Sequence, residues 1–337
     1  MTQAASGAFG LLAPAVQRWI YREGWTALRD IQEQAAAPIL SGGTDVLISS
    51  GTASGKTEAA FIPIASALAG AGTEGVAALC VSPLKALIND QARRLEALFQ
   101  TVDVPVHPWH GDVGQMTRRE VLAGKGGVLL ITPESLEALF VRRGHQVPHL
   151  FAGVRWVVVD EFHAFIGSER GMQLQSLLHR LETAVRRRLP RIALSATLGD
   201  LGAACELLRP GGGARVHTVV SDANRAEVQL QVRGYVVAPA DRTATEEAPD
   251  AGEDRVEGDL FRFLRGGRHI AFANRRGDVE HYADALRRRC EAMRLPNEFW
   301  PHHGSLQKHL REDAEDALRN PSRPATVIAT TTLELGI

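Results

Sequence analysis

Short, nearly uninterrupted apolar runs alternate with amphipathic stretches along the first two thirds of this chain. The runs lie at residues 45–49, 76–82, 127–132, 155–161 and 191–197. Continuous apolar character, rather than strict alternation, is typical of strands buried on both faces of a parallel sheet. The pattern therefore predicts five parallel strands in this part of the chain.

The stretches between these runs have the spacing of amphipathic helices. In "GMQLQSLLHRLETAVRRR", one apolar stripe is formed by Leu174, Leu177, Leu178, Leu181 and Val185. The stretch "LKALINDQARRLEALF" has the same character. Repeated alternation of strand and helix predicts an α/β fold.

A second series of runs begins after about residue 222. Strands are predicted at 228–237, 268–274, 297–303 and 325–331, and helices at 276–293 and 305–319. The segment 239–258 interrupts this series, because from Asp241 to Glu257 it holds seven acidic and two basic residues and almost no apolar ones. Such a composition predicts a solvated loop. Since 337 residues suit two ordinary domains better than one, we predict a first domain at 1–222 and a second, incomplete domain at 223–337.

Composition and charge narrow the function classes. Hydrophobic residues make up 45% of the chain and charged residues 23%, as in soluble globular proteins. The net charge of −1 creates no global field toward DNA, RNA or acidic membranes, so any nucleic-acid surface must be local. Cys80, Cys205 and Cys290 are far apart and odd in number, which favours a reducing compartment and no metal-binding cysteine pair. The start of the chain lacks the features of a signal peptide, and no apolar segment reaches the ~20 residues that span a bilayer. We expect a cytoplasmic protein.

The stretch "DVLISSGTASGKTEAAF" (45–61) is the first candidate for chemistry. Backbone N–H groups at such a strand-to-helix turn can bind phosphates, and the helix N-terminus adds positive potential. Lys56 would reach the β- and γ-phosphates, and the Thr57 hydroxyl would help to hold Mg²⁺. Ser50 stands where Gly or Ala is commoner, so an ordinary glycine-rich turn is the alternative interpretation.

Two adjacent carboxylates, Asp160 and Glu161, follow the apolar run of "RWVVVDEFHAF". At the end of a buried strand they are costly unless they meet a cation or a bound water, and this edge is where open α/β sheets bind ligands. In a phosphate-loop ATPase, Asp160 would hold Mg²⁺ and Glu161 would orient and deprotonate the attacking water. The alternative is an acidic N-cap of the next helix. His163 is predicted to act as a relay, with simple packing as its alternative.

A further strand end, "ALSATL", carries the small hydroxyls of Ser195 and Thr197. Alone, they would be an ordinary strand end or cap. Beside the other two segments they predict a polar link between the γ-phosphate region and the rest of the molecule.

The order of these three segments resembles that of the DExD/H-box helicases of superfamily 2, and most closely their Lhr-like (large helicase-related) group. The similarity covers nearly the whole chain. "ALRDIQEQA" resembles the Q-motif, "SGTASGKT" motif I, "VSPLKALINDQ" motif Ia, "ITPESL" motif Ib, "VVVDEFH" motif II and "LSATL" motif III. Further on, "IAFANRR" resembles motif IV, "HHGSL" the segment after it, and "IATTTLELGI" most of motif V. The stretches "SPLKAL", "HHGS" and "TTLELGI" favour the Lhr-like group over DEAD-box proteins.

This resemblance implies two RecA-like domains with mainly parallel, doubly wound sheets, which close around ATP and Mg²⁺ so that hydrolysis moves a nucleic-acid strand. The residues implied to bind the nucleotide and its metal are Gln32 at the adenine edge, Ser54, Gly55, Lys56, Thr57 and Asp160. Lhr-like proteins translocate 3′ to 5′ on single-stranded DNA, so the expected partner is single-stranded or tailed duplex DNA, and no membrane.

The resemblance also implies which residues line the path of the strand. They are Pro83, Leu84, Lys85, Asn89, His110, Gly111, Thr132, Pro133 and Glu134 in the first domain, and Asn274, Arg275, His303, Gly304, Ser305, Thr330 and Thr331 in the second. Trp109, beside them, is predicted to pack on its own domain rather than to stack on a base. His107, His110, His302 and His303 are interpreted as polar surface rather than as a metal site.

The chain departs from the family pattern near Ile337, which lies inside motif V. Motif VI, whose arginine fingers are worth ~10³–10⁵ in rate, is not in this sequence, so we expect ATP binding with slow turnover. Two other functions stay open: an RNA helicase or RNA-remodelling ATPase with the same core, and a nucleotide-dependent nucleic-acid-binding module without robust turnover. A metabolic kinase is disfavoured, because nothing resembles a site for an acceptor substrate.

Overall fold

The computed structural model describes residues 7–51, 54–72, 75–221, 229–235 and 251–330. The chain divides into two compact units, residues 1–226 and 227–337. None of the helices in the described ranges is long and apolar enough to cross a membrane.

In the first unit, the strands of the described residues form one seven-stranded parallel sheet. They are β1 (Val46–Ser50), β2 (Val76–Val81), β3 (Val106–Trp109), β4 (Gly127–Ile131), β5 (Trp156–Val159), β6 (Arg191–Ser195) and β7 (His217–Ser221). Their order across the sheet is β3-β4-β2-β5-β6-β1-β7. The five strands predicted from the apolar runs are confirmed as β1, β2, β4, β5 and β6.

The two strands that the pattern did not predict, β3 and β7, are the edge strands of this sheet. β3 contains Pro108, which lacks an N–H group and is therefore tolerated at an edge but not in the centre of a sheet. β7 is largely exposed, so it needs no continuous apolar run. Edge position explains why neither strand has the signature of a buried one.

Helices cover both faces of the sheet. They are α1 (Pro14–Arg22), α2 (Asp30–Leu40), α3 (Lys56–Leu68), α4 (Lys85–Gln100), α5 (Gln115–Leu122), α6 (Pro133–Arg143), α7 (Val147–Leu150), α8 (Glu169–Val185) and α9 (Leu201–Leu208). Helices α1 to α4 pack on one face and α5 to α9 on the other. In β1, Val46 and Ile48 belong to the first core and Leu47 to the second. Because both faces of the five inner strands meet a helix layer, polar alternation is absent from these runs of the sequence.

The second unit contains a smaller sheet. Its strands among the described residues are β8 (Arg268–Phe272), β9 (Phe299–His302) and β10 (Ala325–Ala329), all parallel, in the order β8-β10-β9. Its helices are α10 (Ala251–Leu264), α11 (Arg276–Ala292) and α12 (Lys308–Arg319). Helices α10 and α11 pack on one face, while α12 lies on the other. The α/β fold predicted from the sequence is thus confirmed in both units.

Two predictions for the second unit are wrong. Residues 251–258 of the predicted acidic loop form the first half of α10, because Leu260, Phe261 and Leu264 later in this helix pack on the core and its acidic residues need no burial. Residues 239–250 lie outside the described residues. The strand predicted at 228–237 is not formed in residues 229–235, where Leu230 and Val232 are exposed and pair with no described strand.

The two sheets share one local arrangement. The segment β2-α4-β3-α5-β4 of the first unit has the same order of elements and strand neighbours as β8-α11-β9-α12-β10 of the second. Both edge strands end in the same sequence pattern, since "VHPWHGD" (106–112) and "FWPHHGS" (299–305) share a Pro, then a His-Gly pair two residues later. This repetition places a His-Gly turn at the edge of each sheet.

Candidate functional site

The phosphate loop joins β1 to α3 at the carboxyl edge of the first sheet. Gly55 has a φ of +92°, a backbone conformation that favours glycine, and a Cβ there would lie 2.7 Å from Nε2 of Gln32, which would have to move. The hydroxyls of Ser50 and Ser54 hydrogen-bond at 2.6 Å. The serine that departs from the usual pattern therefore closes the loop through its side chain.

Lys56, the first residue of α3, points back into this loop. Its Nζ donates hydrogen bonds of 2.8 Å to the carbonyl oxygens of Ser50 and Gly51. Burial lowers the pKa of Lys56, while the charges of Glu161 and Asp160 oppose that shift. The ammonium group thus lies within electrostatic reach of both carboxylates.

The order of strands explains how distant residues converge here. β5, which precedes Asp160, is separated from β1 by β6 alone, so about 10 Å divides the two backbones. A lysine and an aspartate side chain that face each other can cover most of that distance. Sequence reasoning predicted this convergence from the carboxyl-edge position of both segments.

Asp160 is only 5% exposed. Its Oδ2 accepts a hydrogen bond of 2.5 Å from Nε2 of Gln91. Burial, followed by the charge of Glu161, raises the pKa of Asp160 to about 7, although the backbone N–H of Glu161, the Gln91 amide and the charge of Lys56 act in the opposite direction. Among the described residues no cation contacts this carboxylate directly, so its charge is incompletely compensated.

Glu161 has a left-handed backbone, with φ +46° and ψ 48°. This conformation costs a non-glycine residue of order 1–3 kcal/mol, and such strain is concentrated at functional sites. Its side chain accepts no capping hydrogen bond at the 3₁₀ turn that follows, Phe162–Phe165, which speaks against the N-cap alternative. Instead its Oε2 lies 3.5 Å from Nδ1 of His163.

His163 connects this strand end to the SAT segment. The backbone N–H of Ala196 donates to Nδ1 of His163 at 3.3 Å, and the carbonyl of Ala196 accepts a hydrogen bond of 3.2 Å from the Ser49 hydroxyl. The Ser195 hydroxyl is buried and has no partner among the described residues, and Thr197 is exposed. The link therefore runs through backbone atoms of Ala196, which a pattern of side chains in the sequence does not predict. The roles of Ser195 and Thr197 stay predictions.

Gln32 lies over the phosphate loop. Its Oε1 accepts the backbone N–H of Arg29 at 2.9 Å, forming a capping box at the start of α2, and its Nε2 lies 3.5 Å from the carbonyl oxygen of Gly55. Contact with an adenine stays a prediction, but the position beside Gly55 agrees with it.

The strand-path residues of the first unit gather around the start of α4. Nε2 of His110 lies 2.9 Å from Oδ1 of Asn89, and Nδ1 accepts the backbone N–H of Asp112 at 3.4 Å. Because Nδ1 accepts, Nε2 must carry the proton and donate to Asn89. Lys85 pairs with Asp112 at 3.2 Å. The imidazole thus fixes the turn, and exposed Gly111 is its outermost backbone.

Arg170, which sequence reasoning missed, joins two other predicted segments. Its Nε donates to Glu134 at 2.9 Å, and another guanidinium nitrogen donates to the carbonyl of Pro83 at 2.9 Å. Thr132 caps α6 by accepting the N–H of Ser135, with Pro133 in the first helical turn. No sequence signal identifies Arg170, because its partners are distant in the chain.

The second unit repeats the His-Gly turn. Nδ1 of His303 accepts the N–H of Ser305 at 3.3 Å, and Nε2 donates to Oε1 of Glu280 at 2.9 Å, while Gly304 is exposed. Asn274 and Arg275 are exposed between β8 and α11, and the N–H of Thr330 donates to the carbonyl of His302 at 3.2 Å. Thr331 lies outside the described residues.

The packing interpretation of Trp109 agrees with the structure, in which this side chain is 7% exposed and belongs to the core. Gln91 was missed, although a signal existed. It occupies a polar position within the apolar stripe of α4, between Ile88 and Leu95.

Comparisons with known proteins agree with this geometry. Residues 29–203 match the DEAD/DEAH box helicase family. The chain is 28% identical over 350 residues to the ATP-dependent helicase Lhr-Core of Saccharolobus solfataricus, covering 98% of this chain and 38% of that protein. The chain thus spans about two fifths of the length of that curated relative.

Solved structures give the same picture. The structure of Mycobacterium smegmatis helicase Lhr bound to ssDNA and AMP-PNP superposes with a TM-score of 0.81 at 29% identity, covering 99% of this chain and 43% of that one. Helicase MrfA bound to DNA and AMPPNP shares the fold, with a TM-score of 0.75 at 20% identity over 97% of this chain and 45% of that one.

Proposed function

Because this chain belongs to the DEAD/DEAH box helicase family, we propose that it is the motor core of an ATP-dependent nucleic-acid helicase. In this proposal, residues 1–222 form the ATP-binding domain and residues 223–337 form part of a second RecA-like domain. The observation that carries it is the convergence of Lys56 with Asp160 and Glu161 at one sheet edge.

The donor set at this edge fits Mg²⁺ together with a nucleotide. Among the residues that the structure describes, no group of three or more His, Cys, Asp or Glu side chains could hold a metal ion by itself. Mg²⁺ is commonly held by one or two carboxylates together with substrate phosphates. Asp160, buried and incompletely compensated, and the hydroxyl of Thr57 are the groups that would hold it. When bound, Mg²⁺ neutralises charge on the β- and γ-phosphates.

The chain's own residues supply the remaining functions. Backbone N–H groups of Ser54, Gly55 and Lys56 bind phosphate oxygens at the start of α3, and the Lys56 ammonium neutralises their charge. Gln32 binds the adenine edge.

Hydrolysis needs a group that positions and deprotonates water. The carboxylate of Glu161 accepts that proton. Its Oε2 lies 3.5 Å from Nδ1 of His163, and the same nitrogen accepts the backbone N–H of Ala196, so His163 connects Glu161 to that segment. Ser195 and Thr197 complete the link to the rest of the molecule.

The nucleic acid is bound through a few local contacts. Backbone N–H groups at helix N-termini and glycines, together with the hydroxyls of the strand path, bind phosphates without contacting bases. Such contacts require no basic net charge. The similar helicase Lhr, whose structure contains ssDNA and AMP-PNP, favours DNA as the substrate, and the resemblance to Lhr-like proteins favours movement 3′ to 5′. RNA is the second candidate, and a larger increase of ATPase rate by single-stranded RNA than by DNA would select it.

The decisive experiment replaces Glu161 by Gln in this chain. We expect the rate of phosphate release in the presence of single-stranded DNA to fall at least about a hundredfold. The dissociation constant of a fluorescently labelled AMP-PNP should stay within about threefold of the wild-type value. The matched control is Glu96→Gln, the same change at an exposed position of α4. Unchanged hydrolysis in Glu161→Gln would contradict the enzymatic proposal and favour a binding module.

A further inference from the structure

Helix α4 makes two polar contacts that point in opposite directions. Asn89 accepts from His110 at the edge of the sheet, and Gln91 donates to Asp160 in its interior. At about 100° per residue, these two positions lie about 200° apart around the helix axis. One helix therefore contacts both the predicted strand path and the predicted metal carboxylate.

Both the nitrogen and the oxygen of the Gln91 amide have partners, and these partners specify one orientation. Gln91 is 4% exposed, and its Nε2 donates to Asp160 at 2.5 Å. Its Oε1 accepts from the Ser82 hydroxyl at 3.4 Å and from the Cys80 thiol at 3.7 Å. A flipped amide would set its oxygen against the Asp160 carboxylate and its NH₂ group against Cys80 and Ser82. The contact with Asp160 is therefore specified by the surroundings.

Packing alone does not explain a glutamine at this position. The neighbouring residues of its stripe, Ile88, Leu95 and Leu98, are apolar and buried. A leucine would bury more apolar surface and would lose less side-chain entropy than a glutamine. The glutamine instead supplies one hydrogen bond to a carboxylate that is otherwise poorly compensated.

The other end of α4 is equally tied to the His-Gly turn. Lys85 pairs with Asp112, and its Nζ lies 3.3 Å from the position of a Cβ on Gly111. Any shift of the 110–112 turn on strand binding therefore acts on Lys85 and Asn89, and through the rigid helix on Gln91.

We propose that Gln91 is a positioning residue that couples the two ligands of this unit. It holds Asp160 in the orientation that accepts the metal when α4 is in the position that strand binding favours. Each ligand then raises the affinity for the other, because allosteric coupling is reciprocal. This inference rests on the proposed function, since it needs both a Mg-nucleotide and a strand.

The test measures coupling rather than turnover. The dissociation constant for a fluorescent single-stranded DNA is determined without nucleotide and with saturating AMP-PNP and Mg²⁺, for the wild-type chain, Gln91→Leu and Gln91→Met. We expect the affinity without nucleotide to stay within about twofold. The increase caused by nucleotide should fall at least about fivefold in both variants, and the Mg²⁺ concentration needed for AMP-PNP binding should rise.

The matched control is Gln100→Leu, the same change at the exposed last residue of α4; it should keep the wild-type coupling. Thermal unfolding identifies a variant that does not fold, and the other variant then carries the test. Wild-type coupling in a folded Gln91 variant, or a wild-type chain that binds both ligands without coupling, would overturn the inference while leaving the proposed function intact. A chain that binds neither ligand would overturn both.

Discussion

Two buried carboxylates, one at each edge of the first sheet, differ in how completely the chain compensates their charge. Asp45, just before β1 at the amino edge, is 2% exposed, and Asp160, just after β5 at the carboxyl edge, is 5% exposed. Asp45 accepts two hydrogen bonds of 2.8 Å from Arg209, one of 2.8 Å from the backbone N–H of Arg191, and one from Arg188. Asp160 accepts one side-chain hydrogen bond, from Gln91, and one from the backbone N–H of Glu161, whose own carboxylate lies beside it.

The neighbour of Asp45 follows the same rule. Glu182 accepts from Arg191 and Arg209 at 2.9 Å and from the N–H of Leu189 at 3.0 Å. Burial opposes ionisation of Glu182, but these hydrogen bonds and charges outweigh it and lower the pKa of its carboxyl. The amino edge thus joins β1, β6, α8 and α9 through saturated charges.

The degree of compensation of a buried carboxylate separates those that stabilise the fold from those that are candidates for function. A buried charge costs several kcal/mol unless partners compensate it. Where arginines of the chain provide that compensation, the charge serves the fold. Where fewer groups of the chain compensate the charge, as at Asp160, the carboxylate is a candidate for binding a ligand.

The largest expected effect lies at the carboxyl edge. Replacing Asp160 by Asn should lower ATP hydrolysis at least about a hundredfold, because metal neutralisation of phosphate charge is worth several kcal/mol. The melting temperature without Mg²⁺ should not fall, since the change removes a poorly compensated charge. Steady-state phosphate release and thermal unfolding in EDTA measure both quantities. A large loss of stability would show that Asp160 is as structural as Asp45.

The next effect lies at the amino edge. Replacing Asp45 by Ala should lower the free energy of unfolding by about 3–5 kcal/mol, because it removes the buried carboxylate that pairs with Arg209 and accepts the backbone N–H of Arg191. Arg188→Ala is the control: its side chain is 51% exposed, so its loss should cost no more than about 1 kcal/mol. Urea unfolding followed by tryptophan fluorescence reports mainly on this unit, which holds Trp19, Trp25, Trp109 and Trp156. Equal effects of the two substitutions would argue against the saturated network.

The smallest effect is a dependence of stability on pH. The pKa of Asp160 is 3.8 as the ordinary value and about 7 in the folded chain. Between about pH 4 and pH 7 the unfolded chain therefore releases a proton that the folded chain retains, so this group makes the folded state less stable as the pH rises. Above pH 7 the loss is complete.

Unfolding in EDTA at pH 5 and pH 8 tests this dependence. The advantage of Asp160→Asn over the wild-type chain should be larger at pH 8, by more than about 1 kcal/mol. Because other groups titrate alike in both proteins, their difference isolates Asp160. An advantage that does not change with pH would show that Asp160 ionises normally.

From the sequence alone, we predict the α/β fold, five strands of the first sheet and the segments that meet at its carboxyl edge. These features are local in the sequence. A continuous apolar run predicts a strand buried on both faces, and the Gly-Lys-Thr sequence predicts a phosphate loop that is followed by the start of a helix. Strand ends meet at one edge in any parallel sheet, so the nearness of Lys56 to Asp160 followed from the pattern too.

Which polar groups find partners within the chain, and which stay free to bind a ligand, depends on the tertiary structure. Gln91, Arg170 and the backbone of Ala196 act through partners tens of residues away, and the packing of Leu260 and Leu264 turned residues 251–258 into helix. Asp45 and Asp160 are each an acid directly beside an apolar run, Asp45 before its run and Asp160 after its run. Their difference comes from which arginines the topology brings to each edge, because compensation of a buried charge depends on distance in space and not along the chain.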